Sequence, residues 1–541
     1  MTTSSNPFDW RCAYPSRRLP VFGRNIVSTS HPLGAQAGLR ILGQGGNAVD
    51  AAIAAAAVMA IVEPVSNGLG SDAFCIVWDG HRLHGLNASG TAPAAWTPGY
   101  FHARHGEATA PPQRGWDSVT VPGAVAGWTA LSERFGKLPF ADLMAPAIEV
   151  AERGYAVPVV VQQKWAAAVP LLKAMPGFAD VFLPNGRAPG VGELFRFPDA
   201  ARALRLIGGT QGAALYGGEI AAAAVRHAHG FGGAITVEDF AAYRPEWVEP
   251  IGLDHAGHRL HELPPNGQGI ATQIALGILD HTDLVAWPVD GPESQHLQIE
   301  AMKLAFADVY RFVAEPASMA VTAAQLLDPA YLADRARLID PRRAQHFGAG
   351  NPVKGGTIYL AAADERGMMV SFIQSNFMGF GSGVVVPGYG MSMQNRGHAF
   401  SLDPASPNVV APGKRPFHTI MPGFLTRDGQ AVMAFGVMGA NLQPQGHLQT
   451  LVRMLDHHQH PQAACDAPRW RYNHGLSLNV EAGMPSATLT GLAARGHQLD
   501  VLDDSYQDFG AGQFIWRLGD PAQAGYVAAS DSRRDGLAAA W

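Results

Sequence analysis

The sequence predicts a globular α/β or α+β protein, and three observations carry that prediction. β-rich apolar runs broken by turns stand in both halves, around Asp72–Gly90 and again from Thr357 onward. Between about Thr120 and Gly350, apolar residues recur at three- and four-residue spacing, the helical period. With 47% hydrophobic and 16% charged residues, 541 residues can bury a sizeable core and are too apolar for disorder. Length alone suggests about three or four domains, whereas two sheets sharing one core would make a single intertwined unit, so domain number stays open.

Taken in order, Ser30 is placed to cap a helix opening at Pro32 and running through LGAQAGLRIL to the stop GQGG. Asn47 then precedes AVDAAIAAAAVMAIV, whose alanines allow close approach of a neighbour and which Glu63-Pro64 ends. The apolar run Ala51–Val62 is shorter than the ~20 residues of a membrane span and reads as a core helix. DAFCIVWDGHRLHGLNASG reads as strand, turn at Asp79-Gly80, strand. GAVAGWTALSERFG and SQHLQIEAMKLAFADVYRFV read as amphipathic helices of the middle region. From Thr357, TIYLAAADERGMMVSFIQS reads as strand, polar turn and returning strand, followed by the glycine-rich FMGFGSGVVVPGYG. No tandem repeat and no low-complexity tail is present.

A formal charge of −6 and the lack of a Lys/Arg run argue against nucleic acid and anionic membranes as partners, leaving a small molecule. Cys12, Cys75 and Cys465 show no paired or CxxC spacing, so neither a disulfide framework nor a zinc site is expected. MTTSSNPFDWRCAYPSRR has no apolar stretch behind its basic residues, and a cytoplasmic protein is expected. The Asp456–His460 segment ends an apolar helix and precedes a proline, so its histidines read as dipole partners rather than metal ligands. The glycines around Gly379 follow no βαβ pattern, which argues against a phosphate loop. No cofactor is implied.

The chemistry concentrates in Asn351–Asn395. Thr357 opens a strand, Asp364 and Gly367 form its turn, and Phe380-Gly381-Ser382-Gly383 leads into VVVPGYG. Lys414-Arg415-Pro416, the helix in Gly45–Pro64 and Asp466-Ala467-Pro468-Arg469 follow in register with further family elements. Over nearly its whole length the chain resembles the γ-glutamyltransferase family of N-terminal-nucleophile hydrolases. That resemblance implies a four-layer αββα sandwich of two stacked antiparallel sheets, with a helical accessory region in the first chain. It also implies a precursor cut between Gly356 and Thr357 into a large chain, 1–356, and a small chain, 357–541, which stay associated. Whether two mature units pair stays open.

The residues permit this chemistry on their own terms. A threonine hydroxyl needs a base within reach, and an N-terminal threonine carries one, its α-amine, titrating near ~8. The amine is released only if the hydroxyl first attacks the Gly356 carbonyl, and glycines at 355 and 356 allow the strained backbone that exposes it. If Asp364–Gly367 is a four-residue loop, Ala363 pairs with Met368 and Thr357 falls opposite Gln374, with Ser375 next along. The resemblance assigns Ser375 a hydrogen bond to the nucleophile. It assigns oxyanion donors to a paired glycine, here Gly439 with Ala440 in place of the second.

The family's glutamyl-specific groups are replaced. The carboxylate-gripping arginine falls on Ser89, the assisting serine pair on His418-Thr419, and the ammonium-binding Asn, Gln and Asp on Phe377, Arg396 and Ala399. A guanidinium suits a carboxylate and repels an ammonium, so the expected acyl group carries a carboxylate and no α-ammonium. The bland alternative is that Arg396 faces solvent or pairs with Asp403. The short segment SLDPASPNVVAPGKRP is expected to leave the cleft open to water, and Ile358 and Tyr359 replace the usual residues beside the nucleophile. Three readings follow: a self-maturing amide hydrolase similar to oxamate amidohydrolases and dicarboxylic-acyl acylases, a γ-glutamyl hydrolase or transpeptidase acting on glutathione-like amides, and a non-maturing precursor that only binds a ligand.

Overall fold

The structure is a computed structural model that describes residues 8, 10, 18–347, 356–503 and 509–541. Gly355 and Cys12 lie outside the described residues. Two seven-stranded sheets, antiparallel at every pairing, form the centre. One runs Leu537–Ala540, Ile26–Thr29, Gly356–Ala363, Met369–Phe377, Asp72–Trp78, Leu83–Ala88, Glu246–Val248. The other runs Val21–Gly23, Tyr526–Ser530, Ala511–Arg517, Gln430–Met438, Gly423–Arg427, His258–Glu262, Ile251–His255. Each sheet thus interleaves strands from before and after Gly356, which is why neither part could keep its core without the other.

Three apolar layers explain the stacking. Along Gly356–Ala363, period-2 alternation sends Tyr359, Ala361 and Ala363 inward, where they meet Phe424, Ala434, Met438, Ile515 and Tyr526 of the facing sheet. Ile358, Leu360 and Ala362 point the other way, into a core shared with the helices Pro32–Gly43 and Ala48–Val62 and with the helical region around Phe140–Arg153. The second sheet's outer residues Leu425, Met433, Phe435 and Val437 are covered by Ile270–Leu279, Pro292–Phe312 and Leu442–Leu451. Helix, sheet, sheet, helix is the sandwich the resemblance implies, an α+β arrangement.

Local chemistry fixes the element ends. Asn47 and Asp50 form a reciprocal capping box at the head of Ala48–Val62, all fifteen residues of which are buried. The Asp364 carboxylate, from the turn after the Thr357 strand, adds a second acceptor by taking the Ala48 N–H at 2.9 Å. Two expectations need correction. The cap of Pro32–Gly43 is His31 and not Ser30: the His31 ring accepts the Leu33 N–H, one residue nearer the helix. The hairpin register is also shifted by one, with Ala363 opposite Met369 and Ile358 opposite Gln374. Asp364 Oδ1 accepts the N–H groups of both Arg366 and Met368, and this draws Met368 into a five-residue loop. No helix among the described residues is long and apolar enough to cross a membrane.

Candidate active site

The corrected register places Thr357 beside Ser375, where a bulge between Gly356 and Ile358 interrupts the pairing. The Thr357 hydroxyl donates to Ser375 Oγ at 3.1 Å, and the same oxygen accepts the Phe377 N–H at 2.8 Å. Ser375 therefore holds the hydroxyl from the next strand. Its neighbour Phe377 has φ +78°, an uncommon conformation for an aromatic residue, which turns the chain out of the sheet toward the FGSG loop. In that loop Gly381 has φ +59°, and a Cβ there would collide with the Met393 carbonyl, so only glycine fits.

The facing sheet supplies the other side. A Cβ at Gly436 would collide with the Tyr359 ring, so the tyrosine two residues after Thr357 is accommodated by a missing side chain opposite. At the far end of the same strand the Tyr526 hydroxyl donates to the Asp364 carbonyl, and Tyr526 pairs with Arg517, beside the beginning of Gln430–Met438. The two strands thus run in opposite senses, and the Thr357 end faces the Met438–Gly439 end. There Gly439 has φ +134° and Ala440 φ +53°. Among the described residues, no acceptor meets the N–H of Gly439 or Ala440, whereas the Ala440 carbonyl is held by Gln268 Nε2 at 2.9 Å. Two backbone donors without acceptors, at the strand end that faces Thr357, are the kind of group that receives an oxyanion.

Arg396 is fully buried. Its Nη1 donates to Thr419 Oγ1 at 2.8 Å and its guanidinium lies 4.6 Å over the Phe377 ring. Nε and Nη2 are buried without a partner among the described residues. It neither faces solvent nor pairs with Asp403, whose carboxylate accepts the Ala405 N–H. Burial pushes the Arg396 pKa down to about 9, the Asp72 carboxylate opposing the fall, so the cation persists at neutral pH. His418 is pushed down to about 4 by burial, with Arg396 adding to the effect and Asp72 opposing it.

Of the other anticipated residues, Ser89 donates to Asn87 Oδ1 at 2.7 Å and accepts from Asn266 Nδ2, while its carbonyl accepts from Tyr243 and Arg415. His418 Nε2–H donates to Asp72 Oδ2 at 3.2 Å. Lys414 and Arg415 of the KRP element are also committed internally, Lys414 to the Pro407 and Val409 carbonyls and Arg415 to Glu246. The expected open cleft is not found among the described residues: in the uncut chain Thr357 is 2% exposed, and Leu402 and Val410 of the short segment pack with Phe400, Trp96 and Phe101 into a small core of their own.

Sequence reasoning missed Asp72, a fully buried carboxylate paired in register with Ser375. Its one signal was an acid at the head of the otherwise apolar strand DAFCIVW. It also missed the cluster of His296, Glu300 and His497, buried with ligand atoms within 4.8 Å of one another. That cluster already holds a cation, because Lys303 Nζ donates to Glu300 Oε1 at 2.6 Å.

Stacked antiparallel sheets between helices, with a threonine at the head of an inner strand, define the N-terminal-nucleophile class of hydrolases. Comparison with known proteins narrows the class. The Gamma-glutamyltranspeptidase family model matches residues 34–541, so the chain belongs to that family. It is 35% identical to a glutathione hydrolase-like proenzyme of Bacillus subtilis, covering 89% of this chain and 92% of the relative. It is also 35% identical to the oxamate amidohydrolase proenzyme of Klebsiella pneumoniae, covering 94% and 97%. The crystal structure of a cephalosporin acylase from Bacillus halodurans superposes with a TM-score of 0.93 at 46% identity, covering 100% of this chain and 99% of that one. The protein is thus an amide hydrolase or acyltransferase of this family.

Proposed function

We propose that the chain cuts itself between Gly356 and Thr357 and that the freed Thr357 then transfers a carboxylate-bearing acyl group from an amide to itself and on to water. The large chain 1–356 and small chain 357–541 would remain one unit. In the first step the Thr357 hydroxyl attacks the Gly356 carbonyl, and water cleaves the resulting ester to expose the α-amine. In each later turnover that amine takes the hydroxyl proton and returns it to the leaving nitrogen. Ser375 aims the hydroxyl, and the N–H groups of Gly439 and Ala440 receive the oxyanion.

The observation that carries the substrate reading is Arg396. A buried guanidinium with Nε and Nη2 unpartnered among the described residues is costly unless a ligand completes it, and its paired donors match a carboxylate. The similarity to an oxamate amidohydrolase and to a cephalosporin acylase supports an acyl group other than glutamyl. The test is release of the amine from oxamate and glutaryl amides against γ-glutamyl anilide, with wild type and Arg396→Gln. Wild type should prefer the first two. Arg396→Gln should raise KM for them by about 1.5–3 kcal/mol in binding, the worth of a charge-assisted hydrogen bond. A strong preference for γ-glutamyl anilide, untouched by Arg396→Gln, would return the glutamyl reading to first place.

A further inference from the structure

Gly439 and Ala440 are held by two kinds of hydrogen bond. Within the loop, the Gly439 carbonyl accepts the Leu442 N–H at 3.0 Å and the Ala440 carbonyl accepts the Gln443 N–H at 3.1 Å. Both donors open the helix Leu442–Leu451 and move with the loop. From outside, Gln268 Nε2 donates to the Ala440 carbonyl at 2.9 Å and to the Thr419 carbonyl at 2.5 Å. Among the described residues, this is the one hydrogen bond that ties Gly439 or Ala440 to another part of the chain. An amide nitrogen has two hydrogens and can serve both acceptors. Its orientation is settled, because the reversed amide would turn Oε1 toward two carbonyls. Gln268 is fully buried, and its Oε1 has no partner among the described residues. Its own backbone is anchored: the Gln268 N–H donates to the His418 carbonyl at 2.9 Å, the His418 N–H donates to the Asn266 carbonyl, and the helix Ile270–Leu279 follows. Thr419 meanwhile gives its hydroxyl to Arg396. Ala440 needs such a tie, since at φ +53° an L-residue is strained and stays so only where its surroundings hold it.

Resting on the reading of the Gly439 and Ala440 N–H groups as oxyanion donors, we propose that Gln268 is a positioning residue for acyl transfer. Its amide bridges the Ala440 and Thr419 carbonyls, holds Ala440 left-handed, and so keeps the two N–H groups turned toward Thr357. The Gly439 carbonyl bonds Leu442 on one side, and in a trans peptide the Ala440 N–H points to the other. Gln268 stands before Gly356 and Ala440 after it, so one side chain carries this geometry from the large chain to the small one. Without the bridge the alanine relaxes toward negative φ and the donors tilt. Charge that develops in the transition state then loses its partners, while binding of the ground state does not.

The test uses the purified mature protein and measures kcat and KM on glutaryl anilide and γ-glutamyl anilide, each beside its thioamide, whose sulfur is a poor hydrogen-bond acceptor. It compares wild type, Gln268→Met, and Gln268→Met combined with Ala440→Gly. On whichever anilide the wild type prefers, Gln268→Met should lower kcat about tenfold or more and leave KM within about threefold. The thioamide should lose much less, so the amide-to-thioamide ratio narrows. Adding Ala440→Gly should recover several-fold in kcat, because glycine takes positive φ without strain. If Gln268→Met does not mature, Gln268→Asn, one methylene short of both carbonyls, takes its place with the same expected pattern. A kcat within about twofold of wild type overturns the role of Gln268, as does an equal loss on amide and thioamide that the glycine does not recover. A wild type that cleaves the thioamide as fast as the amide removes the oxyanion reading itself, and this proposal with it. A preference for γ-glutamyl anilide fails only the carboxylate reading, and the pattern on that anilide still decides Gln268.

Discussion

Arg533 and Arg396 are both buried, and the protein treats them in opposite ways. Arg533 has donors to Glu481, Asp531 and the Cys465 and Ala467 carbonyls, and Arg469 meets Asp531 from the other side at 2.7 Å. Burial alone would lower the Arg533 pKa, but Asp531 and Glu481 outweigh it and raise it. Arg396 has one side-chain acceptor, Thr419, no acid within ion-pair distance among the described residues, and a lowered pKa. Phe377, under the Arg396 guanidinium, has positive φ, as does Ala440, and the Gly439 and Ala440 N–H groups have no acceptor among the described residues. The scaffold arginine is completed internally, whereas the arginine proposed to bind substrate is not, and the contrast separates two arginines that burial alone would class together.

The contrast is broken most severely from the scaffold side. Arg533→Met leaves Glu481 and Asp531 short of a partner and should cost about 3–5 kcal/mol in urea unfolding, while Arg396→Met should cost little or nothing. Equal losses would erase the distinction. The same network predicts an acid limb. Although burial works against it, Arg469 and Arg533 hold the Asp531 carboxyl well below the usual range. Its contribution is therefore complete above the unfolded value near ~4 and is lost as pH falls toward the folded value. Arg533→Met should flatten that limb.

Smaller effects sharpen the site side. Ser375→Ala removes one hydrogen bond to the nucleophile, about 1 kcal/mol, and should slow self-cleavage and turnover alike by several-fold, read by gel and by product assay. An effect on only one step would give Ser375 a different role. Ala440→Gly relieves a left-handed alanine and should raise stability by about 1 kcal/mol with kcat changed less than a few-fold. A loss of stability would mean the strain is not there.

Much of this was legible in the sequence, and the failures have physical causes. The helix stop at Glu63-Pro64, the Asp79-Gly80 turn and the FGSG loop were readable because helix ends and tight turns depend on residue type at fixed offsets. The hairpin register was misread by one because a single carboxylate, Asp364, serves the turn and a helix end 316 residues away. Sheet order could not be read from periodicity, since Asp72–Trp78 and Met369–Phe377 are buried on both faces and carry no polar alternation. Asp72 escaped for the same reason. Its meaning lies in Ser375 and His418, which only the cross-strand register and the facing loop bring to it.

Thr357 is proposed to be both the cutting group and the new N-terminus. Intact-mass analysis of the purified protein tests this most directly, run beside Thr357→Ala. It should find two chains, residues 1–356 and 357–541, co-eluting in one particle, and a single uncut, inactive chain for the variant. An active wild type of undivided mass, or chains that meet at any other bond, would contradict it.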